Sequence, residues 1–220
     1  MTAPHRVEHD PAAKLLEWIK QRRRLLIASG VALAVVGGGV WFTISARERK
    51  ERFGASALAE ARAAANAGNL ALAASDLSRL ANTFAGSNAA QEASILLAQI
   101  RLLEGQPAAA VTELRKFIAQ GPNSQFLASA YGLLGTALDQ ANNPREAAES
   151  YLKAVDAAWY DFLKAQYLID AARTLTQAGD TARAARSYQR VMDEFGDTDM
   201  AVEAKLRLAE LNPSSVEIGR

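Results

Sequence analysis

Small residues recur every 37 positions along most of this chain: Ala61, Ala98, Gly135, Ala172 and Ala209. Three more columns keep the same register: Gly68, Gly105, Asn142 and Gly179; Ala73, Ala110, Ala147 and Ala184; Leu77, Leu114, Tyr151 and Tyr188. Self-similarity at a fixed period is the mark of stacked supersecondary units, and it constrains the fold before any local propensity does. Alanine is abundant enough for alanine columns to arise by chance, but the Gly/Asn and Leu/Tyr columns share their phase. The register therefore specifies a helical repeat protein.

Each column has a physical reason. A small residue in the middle of a first helix lets a second helix cross it closely, as ridges-into-grooves packing requires. Gly or Asn then ends the first helix, because these residues take the left-handed C-cap conformation at least cost. Pro144 follows Asn142-Asn143 at the first turn of the next helix, where its missing N–H is harmless. The alanine and the Leu or Tyr stand four residues apart in the second helix and so share one face. The unit is an antiparallel hairpin of two short helices. Phe84-Ala-Gly-Ser87, Gly121-Pro-Asn-Ser124 and Phe195-Gly-Asp-Thr198 have the composition of turns between hairpins. A fifth unit starts near Met200 and consists of one helix, Ala201 to Leu211, closed by Asn212-Pro213. Its charges (Glu203, Lys205, Arg207, Glu210) suit the polar cap that a solenoid needs.

Tyr131, Leu134, Gly135, Asn142, Ala147, Tyr151 and Ala154 fall at the offsets of one known pattern. The third unit thus resembles the tetratricopeptide repeat. The second unit (Leu97, Ala98, Gly105, Ala110, Leu114) and the fourth (Ala172, Gly179, Ala184, Tyr188) match it fairly, and the first departs from it with Glu60 where leucine is usual. That family's period is 34; the extra residues fit in the connectors, because the spacings inside each unit are the family's. The resemblance implies an all-α fold, a right-handed solenoid of hairpins with four units plus a capping helix; the register predicts nine helices after residue 45 and no sheet.

Upstream, residues 25–45 read LLIASGVALAVVGGGVWFTIS, 21 residues with no charge and no proline. At about 1.5 Å rise per residue such a run just spans a hydrocarbon core of about 30 Å. Arg22, Arg23 and Arg24 precede it, Arg47, Arg49, Lys50 and Arg52 follow it, and Trp18, Trp41 and Phe42 sit at interfacial depth. A cleavable signal peptide would have a shorter apolar stretch and an A-x-A-like site, which Ile44-Ser45-Ala46 matches poorly. The expectation is an uncleaved transmembrane helix. In its middle Gly30, Ala34 and Gly38 lie four apart, a small-residue stripe that would admit an inner-membrane partner helix. The chain then divides into a polar basic cytosolic head (1–24), a transmembrane helix (25–45), a charged juxtamembrane linker (46–53), a repeat domain (54–212) and a flexible tail (213–220).

The net charge of +1 conceals an asymmetry. Residues 1–52 hold ten Lys/Arg against five Asp/Glu, and the remainder holds fifteen against nineteen. A mildly acidic domain without a basic stripe argues against nucleic acid, and the basic flanks suit anionic lipid headgroups. Within about 15 residues of the run, five Lys/Arg on the N-terminal side face four on the C-terminal side. Together with the short head this favours the N-terminus in the cytosol and the repeat domain in the periplasm of a bacterial inner membrane. There is no cysteine, so redox chemistry says nothing of compartment and no lipidated cysteine is available.

Catalytic constellations are not legible. His5 and His9 are the only histidines, both in the polar head, with only Glu8 and Asp10 beside them as further ligands. Gly37-Gly38-Gly39 is not followed by the Lys-Ser/Thr of a phosphate loop. Asp193-Glu194 reads as solubilising charge. The expectation is a protein that is not an enzyme and takes no cofactor, metal or small-molecule substrate.

The tetratricopeptide resemblance implies that partners lie along a concave face formed by the first helices. The family's inward positions fall on Ile95, Gln99 and Leu102, on Gly132, Thr136 and Gln140, and on Ile169, Arg173 and Gln177. This mixed apolar and neutral lining suits an extended or helical apolar segment of a protein partner; Ile95 and Leu102 are equally readable as packing against the neighbouring hairpin. Trp159, Tyr160, Phe162 and Tyr167 cluster where the third unit joins the fourth. Such aromatics also make interface anchors, but the expectation is a connector packed over the core.

With the basic stretch Trp18-Ile-Lys-Gln-Arg-Arg-Arg24 ahead of a single apolar run and the repeats behind it, the layout resembles the ancillary subunit of the Sec translocon, the YfgM type. The resemblance implies a membrane-anchored periplasmic adaptor that hands secreted chains to chaperones. The alternative from another class is a structural accessory or assembly subunit of a different inner-membrane complex.

Overall fold

The computed structural model describes residues 11–211, with the side chains of Trp18, Arg22 and residues 34–211. His5, His9, Glu8, Asp10, the Asn212-Pro213 terminator and the expected tail 213–220 lie outside the described residues, as does the side-chain environment of Gly30. Among the described residues there are nine helices and no strand: α1 (Pro11–Asn66), α2 (Leu70–Thr83), α3 (Asn88–Leu103), α4 (Pro107–Ala119), α5 (Ser124–Gln140), α6 (Pro144–Ala157), α7 (Asp161–Gln177), α8 (Thr181–Glu194) and α9 (Asp199–Leu211). They fall into two units, Met1–Arg49 and Lys50–Arg220.

In the first unit helix α1 carries apolar residues around its whole circumference. Val35, Val36, Val40, Trp41, Phe42 and Ile44 are all more than half exposed, and a Cβ added at Gly37, Gly38 or Gly39 would meet open space. The Arg22 guanidinium lies over the Trp18 ring, 5.8 Å from its centroid, within cation–π range. No helix among the described residues is long and apolar enough to cross a membrane. The expected span over 25–45 finds no support there, because the part of the run whose side chains are described, 34–45, falls short of the roughly 20 residues a bilayer requires.

The second unit is a stack of helical hairpins. The end of α1 pairs with α2, α3 with α4, α5 with α6 and α7 with α8, and α9 closes the series. The first repeat helix is the continuation of α1 and not a separate element, since the charged segment 46–53 contains nothing that ends a helix and is itself helical. The four columns occupy the places their chemistry calls for. Ala73, Ala110, Ala147 and Ala184 are fully buried, and Leu77, Leu114, Tyr151 and Tyr188 are buried beside them. Gly68, Gly105, Asn142 and Gly179 all have positive φ, from 58° to 80°. At each of these turns the following N–H reaches back to the carbonyl five residues earlier: Asn69 to Ala64, Gln106 to Arg101, Asn143 to Leu138 and Asp180 to Leu175, at 2.8–2.9 Å. This is the Schellman closure, which satisfies carbonyls that the helix end would otherwise orphan. Pro107 and Pro144 then open α4 and α6, with no N–H to waste.

Small residues set the close crossings. Ala61, Ala98 and Ala172 are fully buried, and a Cβ on Gly135 would lie 2.8 Å from the Tyr151 ring. Ala209 is only half-buried, because no second helix follows α9 among the described residues. Val202 and Leu206 on the same helix are 72% and 60% exposed, while their register equivalents Ala165 and Ile169 are buried. The last helix therefore carries exposed apolar side chains beside the charges expected of a cap.

Candidate partner-binding surface

The first helices of successive hairpins lie side by side, with α3 touching α5 and α7 touching α9, and the candidate lining residues separate into two classes on them. Ile95 and Ile169 are buried, in two different core clusters. They face the inter-helix packing and not an open groove, which corrects their placement in the lining. Gly132 is buried as well: a Cβ there would come within 2.5 Å of the Tyr167 ring, so this glycine is the notch that admits α7 against α5. Leu102 is half-buried and packs against the core of the second and third hairpins. The solvent-facing residues are polar. Gln99, Gln140 and Gln177 are exposed, and Thr136 and Arg173 are half-exposed.

The polar residues on α5 and α7 form one bonded network. Arg173 donates from Nη2 to Asp139 Oδ2 at 2.8 Å. The Gln177 amide, oriented with its nitrogen 2.9 Å from Asp139 Oδ1 and its oxygen 3.0 Å from Arg173 Nη1, closes the group. Burial works against the Arg173 charge, but the hydrogen bond and charge of Asp139 outweigh it and hold the guanidinium pKa above its usual value. One turn inward Thr136 donates to the Gly132 carbonyl at 3.2 Å and lies 3.0 Å from the Tyr151 hydroxyl. Burial pushes the Tyr151 phenol up to about 12 against that hydrogen bond. Asp170 accepts from Gln166 Nε2 at 3.2 Å, and its burial raises its carboxyl above the usual value. Burial and the neighbouring Asp170 raise Tyr167 in the same way.

Beside the network a cleft of about 360 Å³ opens between α7, α8 and α9, lined by Arg173, Thr176, Gln177, Tyr188, Arg207 and Glu210. Arg207 is bonded within its own helix to Glu210 at 3.1 Å. On the second-helix side a cleft of about 410 Å³ is bounded by Arg115, Tyr131, Glu146 and Lys153. There the Arg115–Glu146 pair bridges α4 and α6, and the Lys153 ammonium stands 5.8 Å from the Tyr131 ring centroid.

Sequence reasoning missed Asp139 and Asp170. Asp139 had one legible signal: it stands 34 residues before Arg173, about one turn short of the repeat period, so the two meet when adjacent first helices align. The aromatic cluster is a correction. Trp159, Tyr160 and Phe162 are 69%, 63% and 63% exposed, and Tyr160 stacks on Phe162 with ring centroids 5.8 Å apart. Only Tyr167 goes inward, where the Gly132 notch receives it. The connector between α6 and α7 is too short to fold back over the core, and Ala158 takes the buried position instead.

No family model matches the chain, and no curated protein matches it either. Solved structures of MamA do. "MamA RS-1 ArsTM double mutant" aligns at 23% identity over 86% of this chain and 98% of that one, with a TM-score of 0.54. "MamA 41-end from Desulfovibrio magneticus RS-1" aligns at 23% identity over the same shares, with a TM-score of 0.51. "Crystal structure of MamA protein" aligns at 15% identity over 76% of this chain and 96% of that one, with a TM-score of 0.54. The chain has a tetratricopeptide-type repeat fold. At these identities the likeness is one of fold alone.

Proposed function

We propose that this chain is a membrane-anchored adaptor that holds protein segments on the first-helix face of its repeats and turns over no small molecule. The observation that carries the reading is the run of polar side chains on successive first helices, with Gln99, Gln140 and Gln177 exposed and Thr136 and Arg173 half-exposed. The Gln99 and Gln140 amides, beside the bonded Asp139–Arg173–Gln177 group, offer hydrogen bonds to a peptide backbone without demanding a charged partner. The groove is therefore selective for extended or helical segments through main-chain contacts, with Leu102 as its half-buried apolar floor.

Membrane attachment is supported by the sequence of residues 25–45 and by the chemistry of the described part of that run. Bulky apolar side chains exposed around a helix are costly in water and at home in lipid. The basic flanks place anionic headgroups on both sides, and the small excess of Lys/Arg before the run puts the N-terminus in the cytosol and the repeats in the periplasm. Within that setting the resemblance to the YfgM type makes the adaptor an ancillary translocon subunit that passes secreted chains to chaperones, with inner-membrane subunits meeting the Gly30-Ala34-Gly38 stripe.

Photocrosslinking amino acids at Gln99, Gln140 and Gln177 of the full chain, in living cells, test this against a control at Arg145 on the second-helix side. Crosslinks to secreted chains or chaperones at the three first-helix sites, and none at Arg145, are the expected result. Silence at all three while a probe at Ala34 traps a membrane subunit would replace the adaptor by the structural-accessory reading.

A further inference from the structure

One edge of the repeat unit carries exposed aromatic residues that the binding face does not use. The repeat register places Glu51, Asn88, Gln125 and Phe162 at equivalent positions. The hydrogen bonds agree: Glu51 accepts from the Asn88 N–H at 3.0 Å, Lys50 donates to the Ala85 carbonyl, and Asn123 donates to Asn88 Oδ1 at 2.9 Å. The connectors between hairpins therefore share an edge with the start of the repeat unit at Lys50. The turns at Gly105, Asn142 and Gly179 close the hairpins at the other ends of the first helices.

On that edge Phe53 is 64% exposed, and Trp159 and Tyr160 in the third connector and Phe162 in the first turn of α7 are exposed too. Trp159 and Tyr160 stand at the register positions of Pro122 and Asn123, and Phe162 at that of Gln125. The Pro-Asn turn chemistry of the preceding connector is thus replaced by two aromatics, and Gln125 in the first turn of α5 by a third on α7. The edge is also tethered. Lys50 follows the end of the apolar run by about five residues, a segment that reaches no more than about 18 Å even when fully extended.

We infer that this edge seats on the lipid headgroup layer, with Trp159, Tyr160 and Phe162 entering the interface as a second point of attachment. The inference rests on the anchor reading of residues 25–45. Trp and Tyr concentrate at the membrane–water boundary because an apolar ring and a polar N–H or O–H suit its two sides. Charges near the patch are of both signs, Asp161 being paired with Lys164 at 2.9 Å. A boundary reached through apolar and dipolar groups therefore fits it better than a strongly charged partner. Such seating would present the first-helix face at a fixed height above the bilayer.

The absence of cysteine makes the test direct. Single variants Asp161→Cys, Trp41→Cys and Leu103→Cys of the full chain are labelled with an environment-sensitive fluorophore and reconstituted in vesicles with lipid-borne quencher. Leu103, 73% exposed, ends α3 beside the Gly105 turn and is the control. Quenching at Trp41 and Asp161, none at Leu103, and loss at Asp161 on adding Trp159→Ser, Tyr160→Ser and Phe162→Ser is the expected result. All three rings are exposed, so the serine variant should keep the helical circular dichroism of the parent. Quenching at Trp41 but not Asp161 overturns the inference and leaves the anchor standing. No quenching at either site overturns both. An Asp161 probe shielded from aqueous iodide yet unquenched by lipid shows a protein partner on the patch, and equal quenching at Leu103 shows no preferred edge; either overturns the inference.

Discussion

Two glycines one turn apart on α5 receive rings from different neighbours. Gly135 accepts Tyr151 from α6, and Gly132 accepts Tyr167 from α7. Gly135→Leu should overpack the hairpin and cost about 1–3 kcal/mol. For a domain of this size that is a fall in thermal midpoint of several degrees, about 2–4 °C for each kcal/mol. An unchanged midpoint by calorimetry would refute the close crossing. Tyr151 carries a second consequence. Burial raises its folded pKa from the usual 10.0 to about 12, so the folded state holds its proton more tightly than the unfolded one. The stability this contributes is complete below about pH 10 and is lost as the pH rises toward 12. Tyr151→Phe should flatten the decline in denaturant midpoint across that window, at a cost near 1 kcal/mol at neutral pH from the Thr136 bond. A decline equally steep in the variant would place its origin elsewhere.

Hairpin turns and the links between first helices have separable energetics. Asn142 is the single non-glycine with positive φ among the described residues, 58° where the other turns have glycine. Asn142→Ala should lose about 1 kcal/mol, because a Cβ without a compensating polar group disfavours the left-handed region. Asn142→Gly should stay within a few tenths of a kcal/mol, and equal losses in urea melts of both variants would contradict the C-cap assignment. Arg173 and Asp139 tie α7 to α5, with side-chain exposures of 43% and 19%. Solvent screening at such exposure keeps their coupling below about 1 kcal/mol in a double-mutant cycle. Gln177, which bridges both, should give a coupling of similar size with either partner.

Among the described residues nothing covers the apolar seat on α9. Val202 and Leu206 occupy positions that are buried in the preceding hairpin, and here both are exposed. Val202→Gln with Leu206→Gln should therefore leave the thermal midpoint of the dilute protein almost unchanged, within about 0.5 kcal/mol. A larger loss would show the seat to be occupied in solution. The buried pair Ile95 and Ile169 behaves in the opposite way: a charge at either would unfold the core, so these residues cannot report on binding.

The periodic columns alone were enough to read the all-helical repeat, its turn positions and its buried alanines, because backbone caps and close crossings restrict residue type locally and at a fixed spacing. The orientation of the candidate lining was only partly legible. Family offsets fell on α3, α5 and α7 but mixed buried Ile95, Gly132 and Ile169 with exposed Gln99, Gln140 and Gln177, since a few tens of degrees of helix rotation separate the two sets. The Asp139–Arg173–Gln177 network needed the packing of α5 against α7, which only the assembled stack specifies. The aromatic connector was misread for the same reason. Trp159, Tyr160 and Phe162 look like core by composition, and it is the shortness of the α6–α7 turn and the prior occupancy of the core by Ala158 and Tyr167 that leave them facing outward.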